Sequence, residues 1–245
     1  MTGNPTLSAN TFTDTGRVAP TEAMTVQGTV NKTAFLLALA TLSASYTWQL
    51  FGKGDVASAN VWLMGGAIGG FIVALVTTFK KEWSAVTAPL YAVLEGLFIG
   101  GLSCLFEQRF PGVVMQAVML TFGTLAALLA AYTMGLIRAS SAFRRGVIAA
   151  TGGIAILYLV SMVLGFFHIQ IPGIFGNGTV GIVFSLVVVV VAAMNLVLDF
   201  DMIEQGAQQS APKYMEWYAG FGLLVTLVWL YLEILRLLSK LRSRD

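Results

Sequence analysis

The sequence predicts an all-α, polytopic membrane bundle, and three observations carry that prediction. First, 57% of the 245 residues are hydrophobic and 11% charged, whereas a soluble domain carries about 25% charged residues. Second, apolar windows of about 20 residues, the length of helix that spans the hydrocarbon core, recur seven times along the chain. Third, no alternating strand pattern is present, and lipid admits only helices and closed barrels, because every backbone N–H and C=O must be satisfied internally.

Residues 1–30 are rich in Thr, Gly, Pro and Ser and hold no apolar core of signal-peptide length. They predict a disordered or loosely attached tail ahead of a transmembrane domain over residues 31–245. Segment one is expected over residues 33–51. Segment two, 59–79, pairs Gly65 with Gly69 and Gly66 with Gly70. Segment three, 85–106, carries Ala88, Ala92, Gly96, Gly100 and Cys104 at four-residue steps, and segment four, 113–137, carries Gly123, Ala127 and Ala131. Such ridges predict packing, since lipid gives helices no hydrophobic reason to associate and close backbone approach must hold them together. Segment five, 146–167, contains Gly152 and Gly153, where a helix could break. Segment six, 179–200, runs through the valines Val187 to Val191 into Asp199, and segment seven is expected over 218–238.

The net charge of +2 is too small to imply a nucleic-acid partner. Its distribution sets topology. With the amino terminus cytoplasmic, Arg17, Lys32, Lys80, Lys81, Arg138, Arg144, Arg145 and Lys213 fall on that side and only Lys53 and Arg109 on the other, as the positive-inside bias requires. Seven crossings would then place Arg236, Lys240, Arg242 and Arg244 outside, against the trend. A re-entrant late segment, with both ends cytoplasmic, is the alternative.

Several chemistries are excluded. Cys104 has no partner for an intramolecular disulfide and reads as a small packing residue. His168 is the sole histidine, which rules out a paired-histidine metal site. In "GGLSCL", Ser103 is followed by Cys104 where a nucleophile elbow needs Gly, and no histidine lies in a segment able to serve it. Segment seven has no lysine before Lys240 to form a retinal Schiff base, and there is no Gly-rich phosphate loop. The expectation is a non-enzymatic protein without an organic cofactor.

What remains are acids where lipid penalises them, at about 3 kcal/mol each on insertion scales. Glu95 lies about ten residues into segment three, close to the midplane at 1.5 Å per residue, with Tyr91 and Thr87 one and two turns earlier on the same face. Asp199 ends the apolar run of segment six, and Asn195 precedes it by one turn. Glu95 reads first as a station on an ion or proton route and second as a protonated acid hydrogen-bonded to a neighbouring helix; Asp199 reads as such a station or, alternatively, as a helix end reaching the interface, where acids are inexpensive. Calcium takes carboxylate, carbonyl and water oxygens, so Asp199 and Glu95 are the candidate ligands of any bound calcium. Asp201 and Glu204 read first as a solvated face leading, with Gln205, Gln208 and Gln209, into a polar loop, and second as a pair that could hold another ion. Glu233 is expected to pair with Arg236 near the membrane surface. Lys80 and Lys81 read as topogenic residues, with a latch to a carboxylate as the alternative.

The stretch "APLYAVLEGLFIGGLS" in segment three, "LVLDFDMI" closing segment six and "LVTLVWLYLEILRLLSKL" in segment seven together resemble the Bax inhibitor family, the transmembrane Bax-inhibitor-motif proteins, in a prokaryotic branch. The resemblance covers roughly residues 30–245. It implies six helices around a central seventh, a bacterial cytoplasmic membrane, and a pH-sensitive calcium leak. In bacterial members an Asp at the end of segment six pairs with an Asp in the last segment. Asp199 matches the first, but Thr226 stands at the second position, so the coupled titration of two aspartates does not carry over. Depth makes Glu95 the first candidate for a replacement partner and Glu233 the second. The family's basic residue after segment two, which latches the Asp, corresponds to Lys80 or Lys81.

The leading expectation is a low-flux cation pathway, for calcium, governed by protonation of Asp199 or Glu95. Its rival is a non-transporting regulator that acts through partner membrane proteins. A proton-coupled small-molecule transporter comes third.

Overall fold

The computed structural model describes residues 22–167, 174 and 176–243. Among them lie seven α-helices: α1 Val26–Gly52, α2 Val56–Phe79, α3 Ser84–Arg109, α4 Val113–Thr133, α5 Ser141–Phe166, α6 Thr179–Gln208 and α7 Met215–Arg242. All seven are long and apolar enough to cross a membrane. Strands are absent among the described residues apart from one isolated bridge between Ala23 and Pro212. Residues 1–21 of the expected tail, with Arg17, and also His168 and Arg244, lie outside the described residues.

Helices begin where a side chain can take up N–H groups that the helix leaves orphaned. Thr25 Oγ1 accepts from Gly28 N at 2.9 Å, Asp55 from Ser58 N at 3.2 Å and Ser140 from Phe143 N at 3.2 Å. At the α3–α4 turn the Glu107 carboxylate accepts from Gly112 N at 2.5 Å and Val114 N at 3.1 Å. Hydroxyls inside the helices bond back one turn, as Thr33 does to Thr29 O and Thr121 to Ala117 O, which removes polar groups from lipid at no cost in partners.

The helices outrun the apolar windows. α1 starts at Val26, and the residues before it are held: Met24 is buried, and its N–H donates to Ala211 O at 2.7 Å. α6 continues to Gln208, so Gln205 and Gln208 are helical and not part of a loop. A helix stops where its backbone loses partners, and here that happens at the left-handed Ser210, φ 56°, not where the lipid-compatible residues end. Gly152 and Gly153 lie inside uninterrupted α5, so the expected break is absent.

Two compact units make up the chain: the described residues of Ala9–Val114 with Met202–Val225, and those of Met115–Asp201 with Thr226–Asp245. In the first unit α3 packs on α1 through Gly96 and Gly100. A Cβ on Gly100 would lie 2.6 Å from Ala44 Cα, and one on Gly96 2.8 Å from Ala40 Cα. Phe51, Ala59 and Cys104 form a buried cluster with Trp48 and Leu63. In the second unit Ile154, Val188 and Val191 pack with Tyr158, Phe184 and Trp229. The ridge expected on α4 is not used at Gly123, where a Cβ would meet nothing within 4 Å, and Ala127 is exposed. Small residues permit close approach but do not compel it. α7 is the most withdrawn helix, with 67% of its apolar stretch buried against 44% in α3 and α6 and 22% or less elsewhere.

Candidate functional site

Asp199 is fully buried on α6, and Thr226 on α7 is 2% exposed. Thr226 Oγ1 donates to Asp199 Oδ2 at 2.6 Å. The separation lies at the short end of the range for a hydroxyl hydrogen bond. The position that the resemblance assigned to a second acid is therefore the one that touches Asp199, carrying a neutral donor in place of a charge. One turn earlier, Asn195 is 1% exposed. Its amide nitrogen donates to Thr151 Oγ1 at 2.9 Å and to Val191 O at 2.8 Å, while its Oδ1 has no hydrogen-bond partner. An orphaned buried carbonyl costs about 1–3 kcal/mol, which marks this spot as one where a water or cation would be welcome.

Asp199 does not sit at a helix end, as the sequence suggested. The helix runs on past it, and Phe200, Met202 and Ile203 are buried. Asp201 turns to Arg144, whose Nη2 lies 2.5 Å from its Oδ2, with both side chains about one-fifth exposed. Glu204 is exposed and accepts from Gln208 Nε2 at 3.3 Å. Asp201 thus belongs to an ion pair instead of a solvated face, and Arg144, read from sequence as topogenic, is its partner.

Glu95 lies in the other unit, on α3. The Tyr91 hydroxyl hydrogen-bonds its carboxylate, and Gly70 on α2 leaves room for it: a Cβ there would stand 3.3 Å from Glu95 Oε2. Tyr91 is itself fixed edge-on against Phe221 at 4.9 Å between ring centroids. Thr87, the next polar residue of that stripe, is buried and bonds back to Trp83 O.

Glu233 pairs with Arg236 as its spacing predicts, and its side chain is buried within the protein. It accepts from Arg236 Nη1 at 2.9 and 3.1 Å and from the Tyr158 hydroxyl at 2.9 Å. These bonds commit it to a local triad. Lys81 stands over the Tyr218 ring at 5.9 Å, and Lys80 is exposed at the end of α2.

Sequence reasoning missed Glu216. It is fully buried, accepts from Thr25 N at 2.9 Å and Thr25 Oγ1 at 3.1 Å, and pairs with Lys32 and Lys213. Only the Lys213 spacing was visible in the sequence. Lys32 and Thr25 lie more than 180 positions away, a distance that no local pattern reveals. Thr151 and Lys240 were missed for the same reason.

Among the described residues no three His, Cys, Asp or Glu side chains converge where they could hold a metal. Among the oxygens at and one turn from Asp199 are its carboxylate, the Thr226 hydroxyl bonded to it, and the Asn195 carbonyl with the Thr151 hydroxyl bonded to the Asn195 amide. Such a set suits passing contact with a hard cation better than tight storage, since calcium affinity rises with the number of charged ligands.

A family model described as "Bax inhibitor 1 like" matches residues 4–243. Neither the curated proteins nor the solved structures contain a match to the chain.

Proposed function

Because the chain belongs to the Bax inhibitor 1 like family, we propose that it forms a low-flux pathway for cations, calcium foremost, across a bilayer, controlled by protonation of a buried acid. The observation that carries this reading is the pairing of Asp199 with Thr226 at 2.6 Å in a fully buried setting, one turn from the unpartnered Asn195 Oδ1. A carboxylate there attracts a cation strongly, because few dipoles screen it. The protonated form carries no such charge and presents a donor of its own. Proton binding would thus switch the site between cation-attracting and neutral. Glu95, held by Tyr91 in the other unit, is the alternative acid for this role.

On this reading the amino terminus lies in the cytoplasm of a bacterial cell, and the chain carries out no reaction. Reporter fusions at each terminus test the orientation. Calcium uptake into proteoliposomes over a pH series tests the function. Asp199→Asn is expected to flatten the pH response, and Glu95→Gln to reduce flux. Unchanged, pH-dependent flux in both variants overturns the reading. Absent flux in the wild type, together with a stably co-purifying membrane protein, favours the partner-binding regulator.

A further inference from the structure

Away from Asp199, but within the same unit, a cavity of about 560 Å³ opens between the ends of three helices. Tyr158, Ser161 and Met162 of α5, Asn177 just before α6, and Arg236 and Lys240 of α7 line it. Its two cations, Arg236 and Lys240, share the charge of one carboxylate, Glu233, which is ion-paired to Arg236. Arg236 gives Nη1 to Tyr158 at 2.7 Å and to Glu233, while its Nε and Nη2 have no protein acceptor among the described residues and the side chain is 40% exposed. Lys240 is 4% exposed. Its ammonium donates only to neutral oxygens, Gly181 O at 3.0 Å, Ser185 Oγ at 2.9 Å and Ile174 O at 3.4 Å, and it has no carboxylate partner among the described residues. Gly181 and Ser185 belong to the first two turns of α6, where the helix dipole is already positive. A buried cation at that end is electrostatically incomplete until an anion joins it.

From this geometry we propose that the cavity binds a phosphate group of net negative charge, borne by an anionic lipid or by a small soluble phosphate. The free Nε–Nη2 edge of Arg236 matches two phosphate oxygens. Lys240 supplies the second charge and the Asn177 amide a neutral donor. Met162 and the neighbouring Leu159, both more than half exposed, provide an apolar wall on which an acyl chain could lie. The site is independent of the cation pathway and contains none of its residues.

The test is binding to the purified full chain in neutral detergent, by native mass spectrometry and thermal shift. The probes are short-chain phosphatidylglycerol, phosphatidylcholine of equal chain length, and inorganic phosphate. Phosphatidylglycerol should bind saturably and at least tenfold more tightly than phosphatidylcholine. Lys240→Met should weaken that binding tenfold or more. Asn177→Asp, at an exposed residue, should weaken it several-fold by repulsion. Competition by inorganic phosphate would identify the soluble source, and its failure to compete would identify the lipid. Equal binding of the two lipids with no binding of phosphate, or wild-type affinity in both variants, overturns the proposal.

Discussion

Replacing Thr226 by valine keeps the shape of the side chain and removes one hydroxyl, which isolates the contribution of the bond to Asp199. That bond spans 2.6 Å between groups 2% and 0% exposed, so water cannot take over the donor's role. A hydrogen bond to an ionised group contributes about 1.5–3 kcal/mol and one between neutral groups about 1 kcal/mol. With Asp199 ionised, Thr226→Val should therefore cost about 1.5–3 kcal/mol. With Asp199 protonated, the cost should fall to about 1 kcal/mol. At about 2–4 °C per kcal/mol for a chain of this length, the unfolding midpoint should drop by roughly 3–12 °C at pH 8 and by about 2–4 °C at pH 5. The assay is thermal unfolding in mild detergent, followed through the five tryptophans, with Thr226→Ser as the hydroxyl-retaining control. The control should show no pH-dependent loss. An equal drop at both pH values would show that Asp199 does not change charge in this range and would refute the switching argument.

Three further outcomes follow from the packing. Thr226→Asp puts a second acid beside Asp199 and should produce two coupled proton steps in place of one, measurable as a broadened pH dependence of unfolding; a single unchanged step would contradict the pairing. Gly100→Val forces a branched side chain into the Ala44 backbone; since overpacking costs about 1–3 kcal/mol and backbone yields less than side chains, a loss near the upper end is expected in the same assay. Glu216→Ala strands Lys32 and removes the acceptor of Thr25; breaking a buried pair costs about 3–5 kcal/mol, and partial exposure of Lys32 places the expected loss near 3 kcal/mol, with a loss under about 1 kcal/mol showing that the cluster is dispensable.

The membrane bundle was legible in the sequence because lipid imposes a length and a polarity on each crossing, and both are written in consecutive residues. The interface of α1 with α3 was half legible: Gly96 and Gly100 were marked as a ridge, yet the similar ridge of α4 stays open at Gly123. The acids divided in the same way. Local spacing identified the Glu233–Arg236 pair three residues apart, but gave no hint that Tyr158 completes it. Glu216, with partners near the other end of the chain, went unseen.

By itself, the order of residues determined the number and composition of the apolar helices and the acids that lie inside their apolar runs, since those properties depend on each segment's own transfer from water to lipid. Only the tertiary structure decided what each acid meets: Thr226 for Asp199, Arg144 for Asp201, Tyr91 for Glu95. The physical reason is that a hydrogen bond reaches about 3 Å, and which groups come that close depends on the rotation and register of helices whose contacts lie far apart along the chain.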